Sequence, residues 1–348
     1  MPEVTAGNHD NTREGAVMCH SNRMILSLVA AIVAMTMLAA QAYAQDNPYR
    51  IEEGWAKLPE GRKWGATIGV DIDRDGNIWA FERCGESTCV GSNLAPIIKL
   101  DPSGKVLKMF GEGMFNQPHG FHIDRDGNVW ASDATGKDGK GHQVFKFSPD
   151  GKVLMTLGKA GVAGDGPDTF NRPCDVVTAP NGDIFVADGH GGDSNARIVK
   201  FSKDGKFIKA WGRKGSGPGE FDTPHAITID SQGRIFVADR SNNRVQIFDQ
   251  EGNFIAEWKQ FGRPSGVYID RNDILYVADH QSNAKNNPGV RPGIRIGSAR
   301  DGKVTVFIPA LGPEEKPTST TEGIVVDAAG NLYAGETGTR NLRKYVKK

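Results

Sequence analysis

The sequence predicts an all-β fold, a six-bladed β-propeller with four antiparallel strands in each blade. A strand, a tight turn and a second strand recur six times along the 348 residues. One column of this repeat falls at successive spacings of 51, 55, 51, 40 and 57 residues, at Asp73, Asp124, Ala179, Asp230, Asp270 and Asp327. Helical periodicity is almost absent. Repeats of this length that contain only short strands are typical of propeller blades.

Each copy of the repeat reads as a β-hairpin followed by two further strands. The first copy is GVDIDRDGNIWAFER from Gly69, and its turn carries the Asp-Gly pair that a tight hairpin needs where φ is positive. RIVKFSKDGKFIKAWG from Arg197 supplies a third and a fourth strand in the same way. The repeat therefore predicts the four strands of each blade.

The last copy is truncated, since NLRKYVKK from Asn341 has room for only one more strand. The segment YRIEEGWAKL from Tyr49 has the composition of the missing outer strand. An N-terminal strand that pairs there would close the ring and hide its edges. We therefore predict a single propeller domain over residues 45–348.

Residues 1–44 are typical of a signal peptide. Arg23 precedes an apolar run of 17 residues, Met24 to Ala40, and Ala42-Tyr43-Ala44 supplies small residues before the cleavage point. A membrane anchor is the alternative, but a span needs roughly 20 apolar residues. We predict cleavage after Ala44, a secreted or periplasmic protein, and no membrane contact afterwards. The sequence leaves open whether translation begins at Met1, Met18 or Met24.

Charge and cysteine content narrow the function classes. The net charge is zero, so neither nucleic acid nor an anionic membrane is an expected partner. Three cysteines remain after cleavage, and in an exported protein Cys84 and Cys89 could close the short loop between them with a disulfide. Cys174 is then left unpaired.

Equivalent positions in six blades form a ring around the pore. The residue before each inner strand is, in blade order, Ile68, His119, Cys174, His225, Ser265 and Glu322. Alternate blades thus contribute His119, His225 and Glu322, about 120° apart. Two imidazoles and a carboxylate are a set that binds zinc, or another divalent metal, with one position left open. Alternatively, His119 and His225 are ordinary loop residues that bind no metal. Cys174, in the same ring, is either a metal ligand itself or a small apolar residue that is simply buried.

A second ring lies at the end of each blade's second strand, on the same rim. Its members are Arg83, Ala134, Gly189 with His190, Arg240, His280 and Thr337. Arginines at this rim suit a small substrate that carries a carboxylate, or a peptide-like one. The acidic residue before each of these positions recurs in all six blades, so we interpret it as structural. His122, three residues beyond His119, is predicted on the opposite face of its strand and also interpreted as structural.

The connections between blades resemble the NHL repeat family. The segments that carry the resemblance are GSGPGEFDTPHAITID from Gly215, FNRPCDVV from Phe170 and FNQPHGFHID from Phe115. The resemblance covers nearly the whole chain after residue 48 and implies NHL-type four-stranded blades. Such propellers include enzymes, binding modules and scaffolds, so the fold does not choose among these functions.

Residues 100–259 look more particularly like the peptidyl-α-hydroxyglycine α-amidating lyases, through QPHGFHIDRDGNVWASD from Gln117 and TPHAITI from Thr223. The resemblance implies zinc bound through His119 and His225, with Glu322 in place of a third histidine. It implies that Arg83 and Arg240 bind the substrate carboxylate. Calcium, which this family also binds, is not predicted, because Gly323 replaces the aspartate that binds it.

The family's catalytic tyrosine corresponds to His190, which the resemblance makes the catalytic base. An unperturbed imidazole has a pKa near 6.5, which suits that role. The resemblance thus implies a zinc-dependent carbon–nitrogen lyase that cleaves a carbinolamide to an amide and glyoxylate. The alternatives are a metal-dependent hydrolase of lactones or esters and a non-catalytic periplasmic propeller that binds a peptide or protein. We expect a monomer.

Overall fold

The computed structural model describes residues 1–3, 47–313 and 316–348. Asn47–Lys348 forms one compact unit. The predicted signal peptide and its cleavage point lie outside the described residues, except for the first three. Within the described part of the chain, no helix is both long enough and apolar enough to span a membrane.

The described strands form six antiparallel sheets of four strands each, and these sheets are the six predicted blades. From the axis outward the strands are, blade by blade, Thr67–Ile72 (β2), Ile78–Glu82 (β3), Ile97–Leu100 (β4) and Val106–Phe110 (β5); Pro118–Ile123 (β6), Val129–Asp133 (β7), Gln143–Phe147 (β8) and Val153–Leu157 (β9); Pro173–Thr178 (β10), Ile184–Asp188 (β11), Arg197–Phe201 (β12) and Phe207–Trp211 (β13); Pro224–Ile229 (β14), Ile235–Asp239 (β15), Arg244–Phe248 (β16) and Phe254–Trp258 (β17); Gly266–Ile269 (β18), Ile274–Asp279 (β19), Gly293–Ser298 (β20) and Val304–Pro309 (β21); Thr321–Val326 (β22), Leu332–Glu336 (β23), Asn341–Lys347 (β24) and Tyr49–Glu52 (β1). A 3₁₀ turn spans Arg240–Asn242. The all-β, six-bladed prediction is confirmed.

The ring closes as the truncated last repeat predicts. Strand β1 pairs antiparallel with β24, from Tyr49 opposite Lys347 to Glu52 opposite Lys344. Blade six therefore takes three strands from the C-terminus and its outer strand from the N-terminal side. This pairing covers the edge of β24, which would otherwise expose unpaired backbone groups.

The repeated Asp-Gly turns have a clear physical role. In blade two, Asp124 Oδ1 accepts the backbone N–H of Asn128 at 2.9 Å, and Oδ2 accepts Nε1–H of Trp130 at 3.0 Å. Gly127 closes the turn with a φ of 80°, a backbone conformation that residues with a Cβ atom rarely adopt. The motif recurs along the chain because the aspartate ties the hairpin turn to the strand that follows.

The acidic column is structural, as predicted. Asp133 accepts backbone N–H groups from Asn116 at 2.9 Å and Gln117 at 2.6 Å. Asp239 accepts the N–H of Asp222 at 2.8 Å in the same way. Both carboxylates are completely buried, and they satisfy donors in the segment that enters each blade.

The six inner strands surround an axial cavity of about 270 Å³. They approach one another so closely that some positions allow no side chain. A Cβ added at Gly266 would lie 1.8 Å from the carbonyl oxygen of Glu322 in the next blade. This close approach brings side chains from non-adjacent blades together at one end of the cavity.

Candidate metal centre

A β-bulge lies where five of the six inner strands enter their blades. In blade four, Pro224 pairs with Asp239 and Ala226 pairs with Ala238, so His225 has no partner of its own. The same shift in register occurs at Ile68, Cys174 and Glu322, and at His119 with Gly120. A bulge redirects the side chain of the extra residue. The whole predicted column lines the axial cavity, namely Ile68, His119, Cys174, His225, Ser265 and Glu322.

The structure brings the three predicted metal ligands together. One ligand atom from each of His119, His225 and Glu322 lies within 4.8 Å of those of the other two. These side chains come from blades two, four and six, and all three are buried. The distances fit a single ion among them after a small contraction, because zinc ligands lie about 2.0–2.3 Å from the metal.

Backbone carbonyls orient both imidazoles. Nδ1 of His119 lies 2.7 Å from the carbonyl oxygen of Cys174, and Nδ1 of His225 lies 2.6 Å from that of Ser265. A carbonyl oxygen only accepts, so Nδ1 carries the proton and Nε2 keeps a lone pair. Both Nε2 atoms are buried and have no hydrogen-bond partner. Metal-binding histidines usually have this arrangement, so these residues fit a divalent metal.

Glu322 faces one of these lone pairs directly. Its Oε1 lies 2.9 Å from Nε2 of His225, without the alignment of a hydrogen bond. Burial raises the pKa of the Glu322 carboxyl, but His225, His280 and His119 together hold that pKa well below its usual range. Two electron-rich atoms at this distance are stabilised when a cation lies between them.

The two ligand imidazoles are neutral at pH 7. Burial lowers the pKa of His119 well below 6.5, and the neighbouring His225 and His190 lower it further. Burial and the Arg240 guanidinium lower the pKa of His225 to about 4. A neutral imidazole is the form that binds metals, so the metal would not have to displace a proton from either nitrogen.

Both predicted carboxylate-binding arginines lie beside this cluster. Nη1 of Arg240 lies 3.8 Å from Oε1 of Glu322, and Arg240 is 7% exposed. Its Nε is buried without a hydrogen-bond partner. Arg83 is half-buried and donates from Nε to the carbonyl oxygen of Pro118 at 3.1 Å. Burial lowers the pKa of both guanidiniums, which still remain charged at neutral pH.

His190 also lies in this cluster. Its ring centroid is 4.9 Å from that of His119 and 5.1 Å from that of His225. Burial, His225 and Arg240 lower the pKa of His190 to about 3. The imidazole is therefore free to accept a proton at pH 7, but it is a weaker base than the unperturbed value implies.

His122 follows His119 in the same inner strand, β6. It lines the same cavity as His119. The extra residue in the bulge between Pro118 and Phe121 shifts the alternation of faces by one position. Nδ1 of His122 lies 3.3 Å from Asp71 Oδ2, and its Nε2 lies 3.0 Å from Thr178 Oγ1. These contacts, which join three blades, agree with a structural role.

Sequence reasoning did not identify a second cluster of ligand atoms in the pore. Atoms of His119, Cys174 and His190 lie within 4.8 Å of one another. The sequence signals for this cluster are that Cys174 occupies the ligand column with His119 and that His190 falls in the second ring on the same rim. Cys84 and Cys89 form the expected disulfide, which closes the loop that follows Arg83. Cys174 is a buried free thiol.

The fold and the buried ligand cluster together define a closed β-propeller whose pore contains side chains able to ligate a metal. The NHL repeat model matches residues 221–248, and a model described as a 6-bladed beta-propeller matches residues 172–234. Human NHL repeat-containing protein 3 is 34% identical over 310 residues, which cover 86% of this chain and 84% of that protein. The chain belongs to the NHL-repeat β-propeller family.

Relatives with named enzymatic activities match over a smaller share of their own length. Peptidyl-glycine alpha-amidating monooxygenase A of Xenopus laevis is 35% identical over 261 residues, 72% of this chain and 26% of that protein. Peptidyl-alpha-hydroxyglycine alpha-amidating lyase 1 of Drosophila melanogaster is 30% identical over 338 residues, 86% of this chain and 60% of that protein. The chain thus spans about a quarter of the monooxygenase.

Among solved structures, a gluconolactonase from Xanthomonas campestris superposes with a TM-score of 0.57 at 15% identity. The match covers 88% of this chain and 96% of that one. A likeness at this identity concerns the fold alone.

Proposed function

We propose that this protein is an exported, metal-dependent carbon–nitrogen lyase that cleaves an α-hydroxyglycine carbinolamide to an amide and glyoxylate. The observation that carries the proposal is the convergence of His119, His225 and Glu322, with both Nε2 atoms buried and unpartnered. Similarity to the amidating lyases supports the choice of reaction. The Cys84–Cys89 disulfide supports export, since disulfides persist in oxidising compartments.

His119, His225 and Glu322 would hold the metal, and zinc is the ion we propose. Zinc bound there would lower the pKa of the substrate hydroxyl, as it does for water. The two histidines are fixed in the ligand tautomer by the carbonyl oxygens of Cys174 and Ser265. The ionised Glu322 offsets part of the positive charge of the metal and of Arg240, 3.8 Å away.

The arginines would bind and orient the substrate. Arg240 has a buried Nε without a partner, and a carboxylate that accepts from this guanidinium would satisfy it. Arg83, on the other side of the pore, would contact the same carboxylate. We therefore propose a small substrate with a free carboxylate beside the reacting carbon.

His190 would move the proton. Its neutral imidazole accepts the proton of the α-hydroxyl group as the carbon–oxygen double bond forms and the carbon–nitrogen bond breaks. The same proton is then delivered to the amide nitrogen, so the reaction needs no other reactant. Because the pKa of His190 is about 3, the imidazolium formed is a strong acid and returns the proton readily.

The first experiment measures the metal content and the reaction together. The purified protein is reconstituted with zinc, its metal content is determined, and it is incubated with an N-acyl-α-hydroxyglycine while glyoxylate is measured. We expect about one equivalent of zinc and glyoxylate formation, both lost in His119→Ala and His225→Ala. Less than about a tenth of an equivalent of metal would refute the proposed site. Full metal content without glyoxylate would refute the lyase reaction, and lactone and ester substrates would then test the hydrolase alternative.

A binding function is the second candidate. The match to NHL repeat-containing protein 3, which covers 84% of that protein and whose name carries no activity, favours it. The resemblance to the amidating lyases puts Glu322 where that family has a third histidine, and this difference also favours binding without catalysis. A propeller that binds a peptide without catalysis would bind N-acyl-α-hydroxyglycine or a peptide at the rim without releasing glyoxylate, whether or not zinc is present.

A further inference from the structure

We propose that the pore contains a second, softer metal site formed by His119, Cys174 and His190. It would take a thiophilic ion such as Cd²⁺ or Cu⁺. The site shares His119 with the proposed zinc set but requires neither Glu322 nor lyase activity. One ion in the pore would therefore exclude the other.

The geometry of the three side chains supports this site. Their ligand atoms lie within 4.8 Å of one another, and the rings of His119 and His190 are 4.9 Å apart between centroids. Cys174 is completely buried, and its Sγ donates to the carbonyl oxygen of Gly189, next to His190, at 3.3 Å. Binding needs the atoms to draw together by about 1 Å, since metal–nitrogen and metal–sulfur bonds are about 2.0–2.3 Å long.

The unpartnered nitrogen of His119 that supports the zinc set also points to a ligand here. His119 is 3% exposed, and its Nε2 has no hydrogen-bond partner. A buried nitrogen without a partner is costly, and a metal ion would relieve that cost. His119 can turn this lone pair to only one ion at a time, so the two ligand sets compete.

The chemistry of the donors separates the two sets. Thiolate is a soft ligand that favours Cu⁺ and other thiophilic ions, whereas the carboxylate of Glu322 favours harder ions. On binding, the S–H bond of Cys174 breaks, a sulfur–metal bond forms and the proton leaves to solvent. No oxidant or reductant takes part.

The experiment uses Cd²⁺ as the probe, because a thiolate–cadmium bond gives a charge-transfer band in the ultraviolet. The full-length, chelator-treated protein, with Cys19 replaced by serine in every sample, is titrated with Cd²⁺ and compared with Cys174→Ser, His190→Ala and Glu322→Gln. Since Cys84 and Cys89 are bonded to each other, loss of the band in Cys174→Ser assigns the band to Cys174. Near-ultraviolet circular dichroism checks that each variant is folded.

We expect one equivalent of Cd²⁺ with the band in the parent protein and in Glu322→Gln, and no band in Cys174→Ser. The Cd²⁺ affinity of His190→Ala should fall at least about 10-fold. A band that persists in Cys174→Ser, or unchanged affinity in His190→Ala, would overturn the proposal. So would simultaneous binding of one equivalent each of Zn²⁺ and Cd²⁺. Zinc affinity that is unchanged in Glu322→Gln would count against the zinc site formed by His119, His225 and Glu322, but not against the Cd²⁺ site. The proposed function and this inference can therefore be refuted by different results.

Discussion

Replacing Glu322 by glutamine tests the centre of the proposed site, because it removes one charge and keeps the shape of the side chain. Oε1 of Glu322 lies 3.8 Å from Nη1 of Arg240, and both side chains are 9% exposed. At an effective dielectric constant of about 20, unit charges at this separation attract by about 4 kcal/mol. The substitution also removes the cost of burying the carboxylate, so we expect the metal-free variant to be less stable by about 1–3 kcal/mol.

The same substitution should weaken zinc binding. An amide oxygen carries no charge and is a poor zinc ligand, so we expect zinc affinity to fall at least about 10-fold, which is about 1.4 kcal/mol. Urea unfolding of the metal-free proteins measures the first effect, and competition with a chromophoric chelator measures the second. Glu112→Gln, at an exposed glutamate, is the matched control. A Glu322→Gln variant as stable as the parent, with the same zinc affinity, would refute the assigned role.

Three further predictions concern the substrate, pH and the disulfide. Arg240→Ala should raise KM about 10- to 100-fold, because charge-assisted hydrogen bonds contribute about 1.5–3 kcal/mol; steady-state kinetics with unchanged KM would contradict this role. The pKa of His225 falls from 6.5 to about 4 on folding, so the unfolded chain binds more protons in that interval and stability is lost as pH falls below 6.5. His225 alone should cost the metal-free protein about 2 kcal/mol between pH 6.5 and 5, and a urea midpoint that does not change with pH would argue against it. Reduction of the Cys84–Cys89 disulfide, or a Cys84→Ser/Cys89→Ser variant, should lower the free energy of unfolding by about 2 kcal/mol for so short a loop. The variant should also raise KM if this loop holds Arg83, and kinetics identical to the parent's would exclude that role.

Much of the candidate site could be predicted from the repeat. Once the six copies are aligned, the column that contains His119, His225 and Glu322 follows from counting residues, because equivalent positions in a closed ring face the same axis. The positions of Arg83 and Arg240 on the rim also follow from the repeat. In each blade, antiparallel pairing places the end of the second strand beside the start of the inner strand. The placement of these residues follows from the repeat because blade geometry is set by local strand and turn chemistry, which recurs in every copy.

Other features of the site depend on contacts that no local pattern encodes. The position of His122 depends on an inserted bulge residue, which shifts the alternation of faces. The pKa of His190, about 3 rather than 6.5, depends on burial beside His225 and Arg240, which come from another blade. The cluster of His119, Cys174 and His190 joins side chains from two blades and from different positions in the repeat.

The sequence by itself determined the number of blades, the closing strand at Tyr49 and the column of residues that lines the pore, because these features follow from the repeat. Only the tertiary structure decided that backbone carbonyls of Cys174 and Ser265 leave Nε2 of both histidines unpartnered. Every residue has the same backbone carbonyl group, so the residue types in the sequence do not reveal which carbonyl oxygen accepts from an imidazole. That contact depends on where the neighbouring blade places its backbone.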